Sequence, residues 1–279
     1  MRALPPHASI SLRETHLAQL LAQRPPLPFI EVVADNFLAL RGPHYAGLRQ
    51  LSEHYPILLH CVGFSFGSAQ PPAPDYTRKV ATMAQELGAL NVTDHLSLSA
   101  LNDEFIHDLL PIRYHPDSLQ ALCDNLSRVQ EALPVPLLLE NPSRYLAYAD
   151  DEMSEGNMMT KLVQRTGIGV LMDINNLYVT GHNLGLCPQA MLADYPQEAI
   201  DLYHLAGHHA QPPLLVDSHS AAICPEVWQL YEYAITQIGP RPTIIEWDNQ
   251  LPPLPTLIEQ AQLAQAYLQA APVLDGTTS

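Results

Sequence analysis

Residues 169–183 read GVLMDINNLYVTGHN. The run from Gly169 to Met172 is mostly apolar, as in a buried strand, and it ends at Asp173. Two carboxamides, Asn175 and Asn176, follow at once, and an imidazole follows at His182. A single strand that ends at a carboxylate indicates little, so the question is whether other strands end in the same way.

The chain alternates short β-rich runs with amphipathic helical segments. The runs that predict strands are 9–12, 29–33, 57–60, 91–96, 136–141, 169–173, 200–205 and 243–247. The spacing of apolar residues predicts helices at 15–24, 76–88, 118–133, 155–167, 225–239 and 255–269. Eight strands and their helices in 279 residues predict a (β/α)₈ TIM barrel, with a doubly wound open sheet as the alternative.

The composition favours one large folded domain. The chain is 47% hydrophobic, and its 26 prolines are spread through loops without marking a linker. No repeat or low-complexity segment divides it, and no glycine-rich phosphate loop follows a predicted strand. We therefore expect a single TIM-barrel domain over residues 1–279, with a C-terminal tail from about 271 to 279 that is disordered.

Charge and cysteine content restrict the partners and the compartment. With 29 acidic and 13 basic residues the net charge is −16, which opposes binding to nucleic acid and favours cations. No stretch approaches the roughly 18 apolar residues of a membrane span, and the N-terminus lacks the apolar region of a signal peptide. The four cysteines form no CxxC pair, so a reducing cytoplasm is expected.

Acidic residues and histidines lie at or just beyond the ends of the third to the eighth predicted strand. The carboxyl ends of all barrel strands meet on one face, so these side chains are expected to share one pocket. Any one of them alone is more often a loop residue that caps the next helix. The candidate metal ligands are His60, His95, Glu140, Asp173, His204, Asp217, His219 and Glu246.

This set of side chains indicates a centre with more than one metal ion. Imidazole and carboxylate ligands without thiolates suit zinc, iron or manganese. Several carboxylates in one pocket repel each other unless cations lie between them. Glu140 and Glu246 are natural bridging ligands, so the set predicts a site with two or three metal ions.

A second set of residues is predicted to support the ligands or to bind substrate. Asn141 is a candidate to orient a ligand, and Glu31 is a candidate to line the pocket floor. Arg144 is a candidate to hold a substrate carboxylate, with an ordinary ion pair as the alternative. The full set is Asn176, Asn141, Asp94, His208, Asp248, Arg144 and Glu31.

Several motifs together resemble a known family. They are FIEVVADNF (29–37), LLHCVGFSFGS (58–68), VTDHLSLS (92–99), HDLLP (107–111), LLLENPSRYL (137–146), LMDINNLYV (171–179), YHLAGH (203–208), LVDSHSAAICPEVWQLY (215–231) and PTIIEWDNQLP (242–252). They resemble the multinuclear non-heme iron-dependent oxidative enzymes of the MbnB/TglH/ChrH type, and the order of ligands resembles that of xylose-isomerase-like barrels, including endonuclease IV. The resemblance covers roughly residues 8 to 265.

The resemblance implies a cofactor of two or three iron ions (Fe²⁺/Fe³⁺) and O₂ as co-substrate. It implies oxidation of cysteine residues in a ribosomally made precursor peptide, as in natural product biosynthesis, and a small partner protein that recognises the peptide. Its ligands fall on the same eight positions, with Asn176 nearby. Two alternatives remain: a metal-dependent phosphodiesterase or sugar isomerase of the same barrel class, and a non-enzymatic metal-binding protein. The scarcity of basic residues opposes a DNA phosphodiesterase.

Three short stretches depart from the family pattern. Where the family has NHGFD, this chain has NLGLC, with Leu184 and Cys187. Where it has SEHLAW, the acid is Asp94 and the tryptophan is replaced by Leu98. The second aspartate of its EWDxDIP motif is Gln250. Because the eight ligand positions are intact, these changes are expected to affect the choice of substrate more than metal binding.

Overall fold

The computed structural model describes residues 4–101 and 104–271, which form the predicted (β/α)₈ barrel. In chain order the strands are β1 (Ala8–Leu12), β2 (Ile30–Val33), β3 (Ile57–His60), β4 (Val92–His95), β5 (Leu98–Leu101), β6 (Glu104–Leu110), β7 (Leu137–Glu140), β8 (Gly169–Asp173), β9 (Ile200–Leu205), β10 (His209–Gln211), β11 (Leu214–Val216) and β12 (Thr243–Ile245). Eight of them form a closed parallel barrel in which β1 pairs with both β2 and β12. The open-sheet alternative is therefore wrong. Of the tail predicted to be disordered, residues 272–279 lie outside the described residues.

Helices surround the barrel. They are α1 (Leu17–Gln23), α2 (Gly42–Ser52), α3 (Pro74–Leu87), α4 (Pro116–Ala132), α5 (Glu155–Thr166), α6 (Ile174–Leu184), α7 (Pro188–Ala193), α8 (Pro225–Ile238) and α9 (Leu254–Ala270). The six predicted helices correspond to α1, α3, α4, α5, α8 and α9, with ends within two residues of the expected limits. Helices α2, α6 and α7 were not predicted. Within 4–101 and 104–271, no helix is long and apolar enough to cross a membrane.

Two antiparallel hairpins lie outside the barrel, in the connections that follow β4 and β9. They pair β5 with β6 and β10 with β11. Neither hairpin was predicted, because their short strands lack the alternation of a half-buried strand. Both follow the carboxyl end of a barrel strand, so they enlarge the face on which a barrel carries its active site.

Helix α6 begins directly where β8 ends, inside the stretch GVLMDINNLYVTGHN. Asp173 is both the last residue of the strand and the N-cap of the helix, since its Oδ1 accepts a hydrogen bond of 2.7 Å from the backbone N–H of Asn176. Gly185 ends the helix with a φ of 67°. Two asparagines in the first turn give this segment a weak intrinsic helix propensity. The cap explains the helix and keeps both asparagines at the carboxyl face of the barrel.

Side chains fill the barrel interior in layers. The lower layer is an apolar cluster formed by Phe29, Leu58, Leu138, Leu171, Leu202 and Ile244. Inward-facing residues of a strand are two positions apart. The next inward residue after each member of the cluster is polar, which gives Glu31, His60, Glu140, Asp173, His204 and Glu246. The apolar layer therefore closes the barrel beneath a polar layer and excludes water from below it.

Truncation of the lower layer is expected to destabilise the protein strongly. Leu171 is fully buried, with 0% of its surface exposed. Leu171→Ala should lower the free energy of unfolding by about 2–5 kcal/mol, because it removes apolar contacts and leaves a cavity. Urea denaturation followed by circular dichroism measures the loss. Leu263→Ala on α9, where the side chain is 42% exposed, is the matched control and should change stability by less than about 0.5 kcal/mol. Equal small losses in both variants would contradict the packing of this layer.

The cysteines are unpaired in the structure. Cys61 and Cys123 are buried, whereas Cys187 is exposed. Cys61 follows the inward-facing His60 and packs in the apolar core outside the barrel, as strand alternation predicts. Burial raises the pKa of the Cys61 thiol well above its usual range, so this residue is a core side chain and not a metal ligand.

Candidate metal centre

Polar side chains from six barrel strands meet directly above the apolar layer. All are buried, with at most 4% of their surface exposed: Glu31, His60, Glu140, Asp173, His204 and Glu246. His95 of β4 joins them, since the strand register pairs it with Glu140. The register likewise pairs Asp173 with His204. The barrel thus brings together six of the eight predicted ligands, which are distant in sequence.

The first group of possible ligands contains His60, His95 and Glu140. Glu140 Oε2 lies 3.2 Å from Nε2 of His95 and 3.7 Å from Nδ1 of His60. The two imidazole rings stand edge to face, with centroids 4.8 Å apart. One ligand atom from each residue lies within 4.8 Å of the others. Two imidazoles and a carboxylate at this separation are suited to a transition-metal ion.

The second group contains Glu140, Asp173, His204 and Glu246. His204 Nδ1 lies 3.0 Å from Glu246 Oε2 and 3.5 Å from Glu140 Oε1. Glu140 therefore directs one carboxylate oxygen toward the first group and the other toward the second. Glu140 was predicted to be a bridging ligand, and this arrangement would let its two oxygens bind two different cations.

The predicted ligands Asp217 and His219 lie in the loop between β11 and α8. His219 Nε2 is 2.8 Å from Asp217 Oδ1, while its Nδ1 is 2.9 Å from Asp248 Oδ2 and 3.6 Å from Glu246 Oε2. His219 has a φ of 44°, in the left-handed region that costs energy for a residue with a side chain. Among the described residues these side chains extend the cluster beyond Glu246 but are not members of the compact groups around Glu140.

Hydrogen bonds hold the two central histidines in place. Nδ1 of His60 and the Thr93 hydroxyl lie 2.7 Å apart, and Nε2 of His204 lies 2.8 Å from the Glu31 carboxylate. A proton on His204 Nε2 donates to Glu31, and the lone pair of Nδ1, which faces the carboxylates of Glu140 and Glu246, is then available to a cation between them. Glu31, predicted to line the pocket floor, therefore orients His204.

Asn141 fixes the position of Asp173. Its side-chain Oδ1 accepts from the Asp173 backbone N–H at 2.8 Å, and its Nδ2 donates to the Asp173 backbone oxygen at 2.9 Å. Asn176 in turn donates from Nδ2 to the Asn141 backbone oxygen at 3.0 Å. One Asp173 oxygen caps α6, and the other has no hydrogen-bond partner among the described residues. Asn141 and Asn176 thus both bond to the backbone around Asp173, and their supporting role in ligand placement stays a prediction.

Arg13 is a residue of the centre that the sequence analysis did not identify. It is 7% exposed, pairs with Asp248, and lies 3.8 Å from Glu246 Oε1. Its Nε donates to the Trp247 backbone oxygen at 3.0 Å. Side-chain alternation along β1 could have indicated this position. Residues two apart on a strand face the same side, so Arg13 faces the same side as the buried Ser11. Arg13 provides a fixed positive charge beside the last strand.

Asp94 and His208 lie beside the centre. Asp94 accepts a 2.6 Å hydrogen bond from the backbone N–H of His95 and a 2.9 Å bond from the backbone N–H of Phe64. His208 Nδ1 lies 2.8 Å from the side-chain oxygen of Asn175, and burial lowers its pKa. The same Asn175 donates to Asp217 at 2.8 Å. Asp94 thus bonds to the backbone of His95, and His208 is linked to Asp217 through Asn175.

Arg144 makes contacts within the protein. Its guanidinium donates to Asp151 at 3.1 Å and lies 4.3 Å from the centre of the Tyr114 ring. The residue is 6% exposed. These contacts match the ion-pair alternative for Arg144, although the pair is buried and not at the surface.

Charges within the centre shift several pKa values. Burial opposes the charge on His95, but the carboxylates of Glu140, Asp94 and Glu246 together outweigh burial and raise the pKa of His95 to about 9. Burial raises the pKa of Asp173 well above its usual range, and Glu140 adds to the rise. Burial also disfavours the charge on Glu246, yet His204 and His219 hold its pKa well below the usual range. The side chains alone thus force one carboxyl group toward the neutral form, whereas cations between them would keep every carboxylate ionised.

Buried polar atoms in the centre fit metal ligation. Six of them have no hydrogen-bond partner among the described residues: Glu31 Oε1, Glu140 Oε2, Asp173 Oδ2, His204 Nδ1, His219 Nδ1 and His219 Nε2. Short distances to neighbouring carboxylates exist, but the atoms are not aligned as hydrogen bonds. Buried polar atoms without partners are costly and require an explanation. Imidazole and carboxylate atoms that converge in this way are the ligands of zinc, iron or manganese.

Comparison of the sequence gives a family match. The model of a family described as "RiPP precursor modification enzyme MbnB/TglH/ChrH" matches residues 7–269. A UPF0276 protein of Chromobacterium violaceum is 42% identical over 271 residues, covering 97% of this chain and 98% of that protein. The UPF0276 protein VV3194 of Vibrio vulnificus is 37% identical, covering 95% of this chain and 93% of that protein.

Solved structures share the fold at low sequence identity. An L-ribulose 3-epimerase matches with a TM-score of 0.58 and 15% identity, covering 95% of this chain and 92% of the epimerase. A xylose isomerase domain protein from Planctomyces limnophilus matches with a TM-score of 0.55 and 15% identity, covering 94% of each chain. These matches show a xylose-isomerase-like barrel and carry no information on substrate.

Proposed function

The chain belongs to the MbnB/TglH/ChrH family of enzymes that modify RiPP precursors, which are ribosomally made peptides. From this premise we propose that it is a multinuclear iron enzyme that uses O₂ to oxidise a cysteine residue of a precursor peptide. Because the family is one of enzymes, the alternative of a non-enzymatic metal-binding protein is disfavoured. The similarity to sugar epimerases concerns the fold alone.

The observation that carries the proposal is the position of Glu140 in both groups of ligand atoms. We propose that His60, His95 and Glu140 hold one ion, and that Glu140, Asp173, His204 and Glu246 hold a second. Asp217 and His219, which lie beside Glu246, are proposed as ligands of a third position or as ligands that complete the second. The donor set suits iron, manganese or zinc, and the family resemblance favours iron.

When bound, iron would supply a binding position for the cysteine thiolate and the electrons that reduce O₂. The chain's own residues prepare that position. Glu31 keeps His204 Nδ1 directed at the centre, Asn141 keeps Asp173 in place, and Arg13 anchors Asp248 near His219. The apolar layer below excludes water. The peptide must therefore approach from the open carboxyl face of the barrel.

We further propose that the substrate is a precursor peptide encoded with this protein and that a small partner protein recognises it. The family resemblance supports both parts of this proposal. The unpaired cysteines of the chain suit a reducing compartment, and we propose the cytoplasm.

Metal analysis tests the first part of the proposal. Protein made under iron-replete conditions and purified without O₂ is expected to contain at least two iron ions per chain, because cations would keep Asp173 ionised where burial and the Glu140 carboxylate otherwise drive it toward the neutral form. Elemental analysis by mass spectrometry gives the count. A content of one zinc ion or less under these conditions would contradict a multinuclear iron centre.

A further inference from the structure

A pocket of about 380 Å³ opens beside the metal centre. Three connections form it: the segment after β2, the loop between β3 and α3, and the β5–β6 hairpin. Its walls are mainly apolar and include Leu38, Phe64, Ala73, Ala100 and Phe105. All three connections follow carboxyl ends of barrel strands, so the pocket lies on the face from which a substrate enters.

The loop that forms one wall of the pocket directly follows the proposed ligand His60 and is hydrogen-bonded to the residue before the proposed ligand His95. Backbone N–H groups in the loop after His60 donate to two carboxylates: Val62 to Asp35 at 3.1 Å, and Phe64 to Asp94 at 2.9 Å. Asp94 directly precedes His95. A group seated in the pocket would therefore lie against the loop that follows His60 and is hydrogen-bonded to Asp94, the residue before His95.

The pocket is shaped by contacts that exist without a ligand. The Tyr76 hydroxyl donates to Asp35 and accepts from the Gly63 backbone N–H at 3.1 Å. The Phe64 ring packs edge to face on Tyr76, with centroids 4.9 Å apart. Gly63 is required, because a Cβ at this position would lie 2.7 Å from the Tyr76 ring. Preformed apolar pockets with a few fixed polar groups are typical of binding sites for small groups.

The polar groups of the pocket do not favour a cation. Asp35 lines the pocket, but its carboxylate already accepts from the Val62 backbone and the Tyr76 hydroxyl. Burial raises the pKa of Asp35, and the Asp94 carboxylate adds to the rise, so the negative charge of Asp35 is disfavoured. The remaining walls offer mainly carbon surface, which favours an apolar occupant.

Exposed apolar side chains are concentrated around the same face. Among the described residues, eight large apolar side chains have substantial exposure. Seven of them follow the carboxyl end of a barrel strand: two follow β4, three follow β7, one follows β8 and one follows β9. The eighth described residue, Leu263, lies on the outer helix α9. The seven are Phe105, Leu110, Tyr145, Leu146, Tyr148, Leu186 and Leu214. Such a concentration marks a surface that contacts another chain.

We propose that the pocket formed by the segment after β2, the β3–α3 loop and the β5–β6 hairpin binds an apolar side chain of the precursor peptide close to the reactive cysteine, and so selects which cysteine is oxidised. The inference rests on the proposed function, since a peptide that presents a thiol to the centre must cross this face. An extended peptide advances about 3.3 Å per residue, so a neighbour within a few positions of the cysteine reaches beyond the centre. The walls make that neighbour leucine-like or aromatic.

Peptide binding to metal-free protein tests the pocket without relying on turnover. The probes are synthetic heptapeptides with a central cysteine, in which each of the other six positions carries Phe, Leu, Gly or Asp in turn. At one position, Phe or Leu is expected to bind at least about tenfold more tightly than Gly, because an apolar side chain leaves water. Ala73 is exposed and lines the pocket, so Ala73→Trp should fill it and remove the preference.

Two further variants control the test. Ala266→Trp, at an exposed position of α9, makes the same substitution away from the pocket and should keep the preference. Phe105→Ala removes an apolar wall and should weaken the preference even if Ala73→Trp folds poorly. Iron content and melting temperature should match the wild type in all folded variants.

The outcomes distinguish binding of a side chain in the pocket from the proposed oxidation of cysteine. Equal affinity for all probes, or a preference that survives Ala73→Trp, would overturn the proposal that the pocket binds a peptide side chain. Equal affinity is also the result expected if a partner protein, and not the peptide, occupies the pocket. A clear preference without cysteine oxidation by the iron-loaded protein would support the pocket and refute the proposed oxidase.

Discussion

Glu140→Ala is expected to remove metal from both ligand groups at once. Glu140 directs Oε2 toward His95 and Oε1 toward His204, so its loss removes a carboxylate oxygen from both proposed metal positions. The metal content should fall from two or more ions per chain to fewer than about one. Peptide oxidation should fall on the order of 10³-fold or more, because the residues act as one unit.

The measurement is elemental analysis together with the rate of peptide modification under O₂. Glu131→Ala, an exposed site on α4, is the matched control and should keep the metal and the rate of the wild type. Full metal occupancy in Glu140→Ala would show that β7 does not contribute the bridging ligand.

His204→Ala is expected to have the second largest effect, on stability as well as on metal. His204 is 0% exposed and lies between three carboxylates, with Glu31 at 2.8 Å, Glu246 at 3.0 Å and Glu140 at 3.5 Å. Its removal leaves these buried charges facing each other. Loss of one member of a buried charge network costs about 3–5 kcal/mol of unfolding free energy.

Chemical denaturation of the metal-free protein measures this loss without a contribution from bound ions. His54→Ala removes an exposed histidine and should leave stability within about 0.5 kcal/mol of the wild type. If His204→Ala were as stable as His54→Ala and kept its metal, the proposed arrangement around His204 would be wrong.

The barrel was predictable because its signals are local and repeated. Five of the six grouped ligands follow an inward apolar residue by two positions, as Leu138 precedes Glu140 and Leu202 precedes His204; the exception is His95, which follows Thr93. A barrel brings all carboxyl strand ends to one face, so strand ends in the sequence were sufficient to group six of the eight predicted ligands.

Other features depend on contacts between distant residues and were not visible in the pattern. Arg13 joins the centre through Asp248, a contact across 235 positions. Helix α6 depends on the Asp173 cap and not on helix propensity. The place of His219 depends on a positive φ that places it between Asp217 and Asp248, which spacing along the chain does not predict.

The departures from the family pattern fall around the substrate face. Leu98 begins the β5–β6 hairpin, and Leu184 ends α6, the helix that starts at Asp173. Gln250 follows β12 with a φ of 50°. None of the three is among the candidate metal-ligand groups of the described residues. Their positions support the proposal that they alter which peptide is bound.

The mass of the peptide after reaction tests the central claim most directly. Iron-loaded protein is incubated with O₂, the Cys-containing peptide encoded beside it and the small protein encoded with both, and the peptide is then analysed by mass spectrometry. We predict a mass change confined to a cysteine and absent when that cysteine is replaced by serine. An unmodified peptide, together with rapid hydrolysis of a phosphodiester by the same preparation, would contradict the proposed oxidase and favour the phosphodiesterase alternative.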